Sequence, residues 1–289
     1  MIGTAISRAL AARGDTPVRL IRPVSRGSGI YWDPKTGQID KDGLNGIDAV
    51  VHLAGESILG LWTPAHKRRV LDSRVRGTSL ISSTIAALPN PPRVLVSASG
   101  INYYGNRPGS EPIDESAPQG QGFLAEVAGR WEAAAAPARE AGIRVVHIRT
   151  GLVLARNEGT LKYAVPVFYM GLGGRLGTGR QYWSWIALAD VVRSYLHALD
   201  QPLAGPVNAT APEPVTNAEF TRVLAEVVHR PAFMAVPEFV LGLGGDLAKE
   251  LILSGARVVP RKLLESGFRF RFTELRAALQ AILAGEDGS

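Results

Sequence analysis

The 289-residue chain has no cysteine, so disulfides and thiolate metal sites are excluded; such a composition fits a reducing cytoplasm. Its five histidines are scattered, none at metal-ligand spacing. No apolar run reaches the roughly 18 residues that a membrane span needs. The opening residues, MIGTAISRALAARG, lack the apolar core and cleavage site of a secretory signal. There is no internal repeat and no Lys-Ser/Thr ending to the glycines of 171–179, which rules out a P-loop there. Those glycines read as a flexible segment over a cleft. Charge of one sign is not concentrated either. The net charge is +6, but Lys and Arg are spread thinly, and the densest cluster, His66-Lys67-Arg68-Arg69, falls on several faces of a helix. That pattern suits a solvated helix or the attraction of a phosphorylated cofactor better than nucleic-acid binding, for which no recognition motif is present.

What is there is an ordinary globular composition, 46% hydrophobic and 20% charged. Apolar runs and helical periodicities alternate along the first half. Helix is expected at 4–13, 64–87 and 122–141, the last divided at Pro137; strands are expected at 18–22, 48–53, 93–97 and 145–149. Residues 23–46 read as loop or a small excursion. Strands alternating with helices predict an α/β fold with a parallel sheet, and near-continuous apolar strands predict burial on both faces. The order is Rossmann-like but lacks its first strand. Further on, helices are expected at 188–200 and at 217–229, the latter opened by the capping box Thr216-Asn217-Ala218-Glu219. Short helices and a small aromatic strand at 267–272 close the chain. Tyr182, Trp183 and Trp185 suit either an apolar cleft wall or core packing.

Three segments stand where parallel sheets bind ligands, beyond the carboxyl ends of strands: His52–Glu56, Val96–Gly105 and Arg149–Leu154. Small residues in the first permit close backbone approach, and the second delivers hydroxyls.

These segments, with SRVRGT (73–78), FLAEVAGRWEAAA (123–135), GLGGRLGTGRQYWSWI (171–186), PVTNAEF (214–220) and RVVPRKLLESGFRF (257–270), resemble the epimerase family, an atypical branch of extended short-chain dehydrogenases/reductases. The resemblance implies a Rossmann-type dinucleotide domain over 1–155, with 187–211 returning to it. It also implies a smaller α+β substrate-side region over 156–289 that includes the family's C-terminal domain at about 234–284. The family opens with a strand and a Gly-rich turn, so the resemblance implies a chain that starts within that turn, N-terminally truncated, with Gly3 as its last glycine. It implies cofactor contacts from Gly3, Ile21, Arg22, Leu53, Ala54, Gly55, Arg74 and Val153. Arg22, where an acid would bind the ribose of NAD, suits a 2′-phosphate and hence NADP(H).

The superfamily's Tyr-x-x-x-Lys pair is absent from 123–128. Ser99 matches the superfamily's serine. Tyr103 and Tyr104 are candidate acids, and Glu126 is a candidate base if burial raises its pKa. The expected function is therefore that of an NADP(H)-binding oxidoreductase or epimerase-like enzyme. It would act on an unidentified small molecule in the cytoplasm, as monomer or homodimer, without nucleic acid, membrane or metal. The alternative is a catalytically inactive NADP(H)-binding regulator.

Overall fold

The computed structural model describes residues 1–22 and 28–286. Helix α1 (Ile2–Ala12) leads to strand β1 (Leu20–Ile21), which pairs in parallel with β2 (Ile30–Asp33); β2 turns back through the antiparallel β3 (Gln38–Ile39). The small excursion expected within 23–46 is thus a hairpin over 30–39; residues 23–27 lie outside the described residues.

The main sheet begins with β4 (Ala49–His52). A long helix, α2 (Pro64–Ala86), crosses over to β5 (Val94–Gly100). The side-chain hydroxyl of Thr63 caps α2 by accepting from the His66 amide, and Pro64, which needs no donor partner, occupies the first turn. The predicted helix after β5 is two, α3 (Phe123–Ala133) and α4 (Ala136–Glu140), divided where Pro137 enters the first turn of the second. Strand β6 (Arg144–Thr150) follows. After β7 (Leu152–Ala155), α5 (Gly159–Tyr169) and the short strands β8 (Gly174–Leu176), β9 (Tyr182–Trp183) and β10 (Trp185–Ala187), helix α6 (Leu188–Asp200) leads to β11 (Gly205–Ala209). Strand β11 returns to the sheet, giving the all-parallel order β11-β6-β5-β4. Among the described residues, β4 is an edge of that sheet and β1 pairs only with β2.

Period-two alternation distributes the apolar residues to both faces. Val94, Val96, Val146, Ile148 and Val207 pack against Ile6 of α1 and Val191, Val192 and Tyr195 of α6. Leu95 and Val145 face the other way, against Ile81 and Ile85 of α2 and Ala138 of α4. Each fully buried aliphatic side chain contributes about 1.5–3 kcal/mol by transfer from water.

The glycine-containing stretch at 171–186 is ordered by pairing rather than loose. Strand β10 pairs with β7, β9 with β12 (Val215–Thr216), and β8 with β13 (Met234–Val236). Trp185 is fully buried in this second core, its indole donating to the Glu213 carbonyl, and Trp183 packs edge-on against Phe220. Core packing therefore accounts for both tryptophans. Helix α7 (Asn217–Val227) opens as expected, with Thr216 accepting from the Glu219 amide. The chain then forms α8 (Glu238–Gly242), α9 (Gly245–Ala248), a π turn at Lys249–Leu253, α10 (Arg261–Glu265) and α11 (Leu275–Ala284). The expected aromatic strand at 267–272 is not a strand. Its amides at Arg271 and Phe272 donate to the buried Asp190 carboxylate of α6, and Phe268 enters the sheet core, so a side chain takes the bonds a neighbouring strand would. No helix is long and apolar enough to cross a membrane among the described residues.

Candidate active site

The ends of β4, β5 and β6 lie side by side in register, His52 beside Ser97 and Ser99 beside Arg149. Ligands of open parallel sheets sit beyond such strand ends.

On the β4 side, Leu53, Ala54 and Gly55 run along α2 and the start of α1. Gly3 lies in the first turn of α1 and packs against the Leu53 side chain. Among the described residues that helix start has no side-chain cap, and the Glu158 carboxylate lies 3.5 Å from the Met1 nitrogen. The SRVRGT segment lies on α2 and grips the loop after β4: the Glu56 amide donates to the Ser73 hydroxyl, and Arg74 donates to the Glu56 and Val70 carbonyls. A Cβ at Gly55 would stand 3.1 Å from the Arg74 guanidinium carbon, so glycine is what lets the loop lie on that group. Trp131 of α3 lies on another side, its ring 5.0 Å from the guanidinium. Burial lowers the Arg74 pKa to about 10 against the upward pull of Glu56, and among the described residues no carboxylate lies at ion-pair distance from it. Arg22 is exposed just after β1, beside the half-buried Ile21, and Val153 is half-buried on β7 facing β10.

On the β5–β6 side, a buried polar network has formed that neither composition nor spacing announced. Glu132, on the inward face of α3, is 12% exposed, and Arg149, near the end of β6, is 3% exposed. Arg149 holds the carboxylate in a fork, Nε to Oε1 and Nη2 to Oε2, both at 2.8 Å. The Ser99 hydroxyl donates to the same Oε1 at 2.7 Å. The remaining Arg149 amino group donates to the Tyr104 hydroxyl at 2.9 Å, which donates in turn to Asn208 Oδ1 at 2.7 Å. Tyr103 lies over the guanidinium, 3.4 Å from ring centre to Cζ.

This arrangement sorts the candidate acids and bases. Tyr104 is completely buried, and its hydroxyl is engaged both as donor and as acceptor. Burial pushes its pKa up to about 12, so it supports Arg149 rather than exchanging protons with a ligand. Glu126 lacks the expected burial. Its side chain is 59% exposed and pairs with Arg130 one turn on, because Leu124, Ala125, Val127, Ala128 and Trp131 take the inward face. Tyr103, half-buried, and Ser99 remain at the strand end. Glu132 is not among the sequence candidates, and Arg149 enters only as the first residue of a strand-end segment: the sequence signal for the pair is charge within otherwise apolar segments.

The start of α3 is held from outside. Gly122 adopts φ 111°, and the helix has no cap of its own. Glu250, from the π turn, accepts from the Phe123 and Leu124 amides at 2.9 and 2.8 Å. Asp246 of α9 pairs with Lys67 of α2 at 2.8 Å, and Lys67 lies against the Trp62 and Phe123 rings. Residues 246–250 thus bridge the starts of α2 and α3. Replacing Glu250 by Ala is expected to cost about 1–2 kcal/mol, the worth of a helix cap. Chemical denaturation would read the loss, and hydrogen exchange at the Phe123 and Leu124 amides should quicken, with Gln recovering part of both.

The fold and strand-end site define a Rossmann-type dinucleotide-binding protein. The family model described as "NAD dependent epimerase/dehydratase family" matches residues 1–211, and a "domain of unknown function (DUF1731)" matches 236–282; the chain belongs to that epimerase/dehydratase family. It is 41% identical over 283 residues to epimerase family protein Mb2239 of Mycobacterium bovis, covering 96% of this chain and 93% of that one. It is 35% identical to human epimerase family protein SDR39U1 over 289 residues, covering 98% and 96%. A crystal structure of the human protein (isoform 2), solved with NADPH, superposes with a TM-score of 0.89 at 34% identity, covering 98% of this chain and 96% of that one. The fold alone is shared with UDP-glucose 4-epimerase of Thermotoga maritima, at a TM-score of 0.75 and 15% identity, covering 98% and 94%.

Proposed function

We propose that the chain is an NADP(H)-dependent oxidoreductase or epimerase-like enzyme that acts on a small molecule at the carboxyl ends of β4, β5 and β6. The carrying observation is Arg74. A buried guanidinium set among Gly55, Trp131 and backbone carbonyls, with the exposed Glu56 near it but no carboxylate at ion-pair distance among the described residues, keeps N–H groups for an anion. The uncapped start of α1 and the small residues Ala54 and Gly55 provide room and dipoles for a pyrophosphate. Arg22 is the group for the 2′-phosphate, and Ile21, Leu53 and Val153 line the path toward the reacting end. The human relative's structure with NADPH supports the same cofactor. When bound, the nicotinamide supplies or accepts hydride. The protein's share is to orient both partners and present Ser99 and Tyr103 to the substrate. Residues 156–289, apart from the returning 187–211, form the substrate side, and the protein acts in the cytoplasm as monomer or homodimer.

A second reading, an NADP(H)-binding regulator without turnover, is favoured by α3, which carries no Tyr-x-x-x-Lys. Fluorescence titration with NADPH followed by a hydride-transfer screen separates the two: tight binding with no turnover supports the regulator. Arg74→Met is expected to weaken NADPH about ten- to a hundredfold, the worth of a charge-assisted hydrogen bond. The unliganded melting temperature should change little, because the desolvation cost of the cation is removed along with its bonds to the Glu56 and Val70 carbonyls. Arg22→Ala should weaken NADPH but not NADH. Unchanged NADPH affinity in both variants would defeat the cofactor assignment.

A further inference from the structure

We propose that the cavity between α7 and the segment leading into β13 is a binding site for a small organic anion, a phosphate or carboxylate carried on an apolar body, with Arg175 and Arg230 as its anion groups. The site is separate from the strand-end cleft. None of its walls comes from β4, β5 or β6, and none of the residues assigned to the cofactor lines it.

The cavity has a volume of about 690 Å³, within the range of small-molecule sites. One face of α7 forms its floor, where Ala218, Thr221 and Ala225 recur at helical spacing and their small side chains leave room. The opposite wall, residues 231–234, is held by the pairing of β13 with β8, which is so close that a Cβ at Gly174 would overlap the Met234 carbonyl.

Three arginines and one acid line the space. The acid, Glu226, is paired twice, with Arg222 at 2.8 Å and with Arg276 of α11, so its charge and that of Arg222 are spent. Among the described residues neither Arg175 nor Arg230 has a carboxylate at ion-pair distance. Arg175 donates to the Gly177 carbonyl, and Arg230 to the Tyr169 and His229 carbonyls. A guanidinium has five N–H donors, so each keeps several for an oxyanion. The end of α7 does not oppose one. His229, just past the helix, takes φ 53°, the left-handed conformation that glycine adopts there most readily. Its amide donates to the Glu226 carbonyl and that of Arg230 to the Ala225 carbonyl, which consumes those acceptors. The strained residue is also one that lines the cavity. Phe233 and Met234 complete the wall, 79% and 47% exposed. A bare phosphate would leave them in water, and a neutral apolar molecule would cover two guanidiniums without a counter-charge. A ligand that carries both an anion and an apolar body satisfies both.

Phenyl phosphate, phenol and inorganic phosphate serve as probes. Titrations of the nitrogen-15-labelled full chain are followed at the amides of Arg175, Thr221, Arg222 and His229. Phenyl phosphate should bind about tenfold more tightly than either fragment, and added salt should weaken it. Arg175→Met and Arg230→Met should each weaken it about three- to tenfold, the worth of a charge-assisted hydrogen bond near solvent. Phe233→Ser should bring it toward inorganic phosphate. His229→Gly, which relieves the left-handed strain, should raise the melting temperature while weakening phenyl phosphate, and this separates a site contact from a loss of fold. Arg74→Met should leave the titration unchanged. No perturbation at these amides, phenyl phosphate no tighter than phenol or than inorganic phosphate, or unchanged affinity in both arginine variants would each overturn the proposal. A response that disappears in Arg74→Met would place the anion in the strand-end cleft and overturn it as well. Because these titrations need no cofactor, a failure of NADPH to bind would defeat the cofactor reading and leave this result standing.

Discussion

Arg149→Met is expected to lower stability by about 3–5 kcal/mol, the cost of removing one partner from a buried ion pair. The variant leaves Glu132 facing Ser99 without its guanidinium, strips the Tyr104 hydroxyl of a donor, and removes the cation from beneath Tyr103. Urea denaturation monitored by circular dichroism measures the loss. A double variant, Arg149→Met with Glu132→Leu, should recover a large part of it, because an apolar pair of similar volume avoids the uncompensated charge. A single-variant cost below about 1 kcal/mol, the range of exposed pairs, would mean that solvent reaches the network freely.

Acid should destabilise the protein while its carboxylates are still ionised. His52 on β4 and His147 on β6 flank Ser97 of the intervening β5, both buried, each with one ring nitrogen lacking a partner. Burial lowers both pKa values to about 4. For His147, Glu132 acts upward, and Arg149 and Arg139 downward. In the unfolded chain each titrates near the ordinary value of about 6.5. Their contribution is thus fully present above about pH 6.5 and is lost as pH falls toward about 4, because the unfolded state takes up the protons first. The loss is on the order of 3 kcal/mol for each ring. Asp190 and Glu115, whose pKa values burial raises, act in the opposite sense in the carboxylate range, so the decline is steepest between about pH 6.5 and 5. Unfolding free energies measured across that window should fall, and His52→Leu should remove about half of the slope. A flat profile there would show that both rings take up protons in the fold as readily as in the unfolded chain.

Much of the architecture was legible in the residues. Apolar runs marked β4, β5 and β6, and helical periodicity placed α2 and α6 closely, because strands buried on two faces and amphipathic crossovers leave local signatures. Pro137 marked the division between α3 and α4. The strand ends that would carry a site were equally plain. The error over 267–272 has a tertiary cause: its amides bond to the distant Asp190, and no local pattern encodes a partner roughly 80 positions away.

The acid/base residues were the least legible. Glu126 and Glu132 stand on one helix, about 120° apart around its axis at 100° per residue. Which of them turns inward depends on what α3 packs against. Trp131 and its neighbours seat α3 against the sheet and α2, leaving Glu126 in solvent and bringing Glu132 to Arg149. The sequence by itself determined the parallel α/β order, the family, the positions of the strand ends and the absence of a Tyr-x-x-x-Lys pair from α3, since these follow from period, spacing and residue type along the chain. Only the tertiary structure decided which charges are desolvated: Arg74 without a carboxylate at ion-pair distance among the described residues, and Arg149 with one. Desolvation is set by atoms from several separate segments at once, and no single segment contains it.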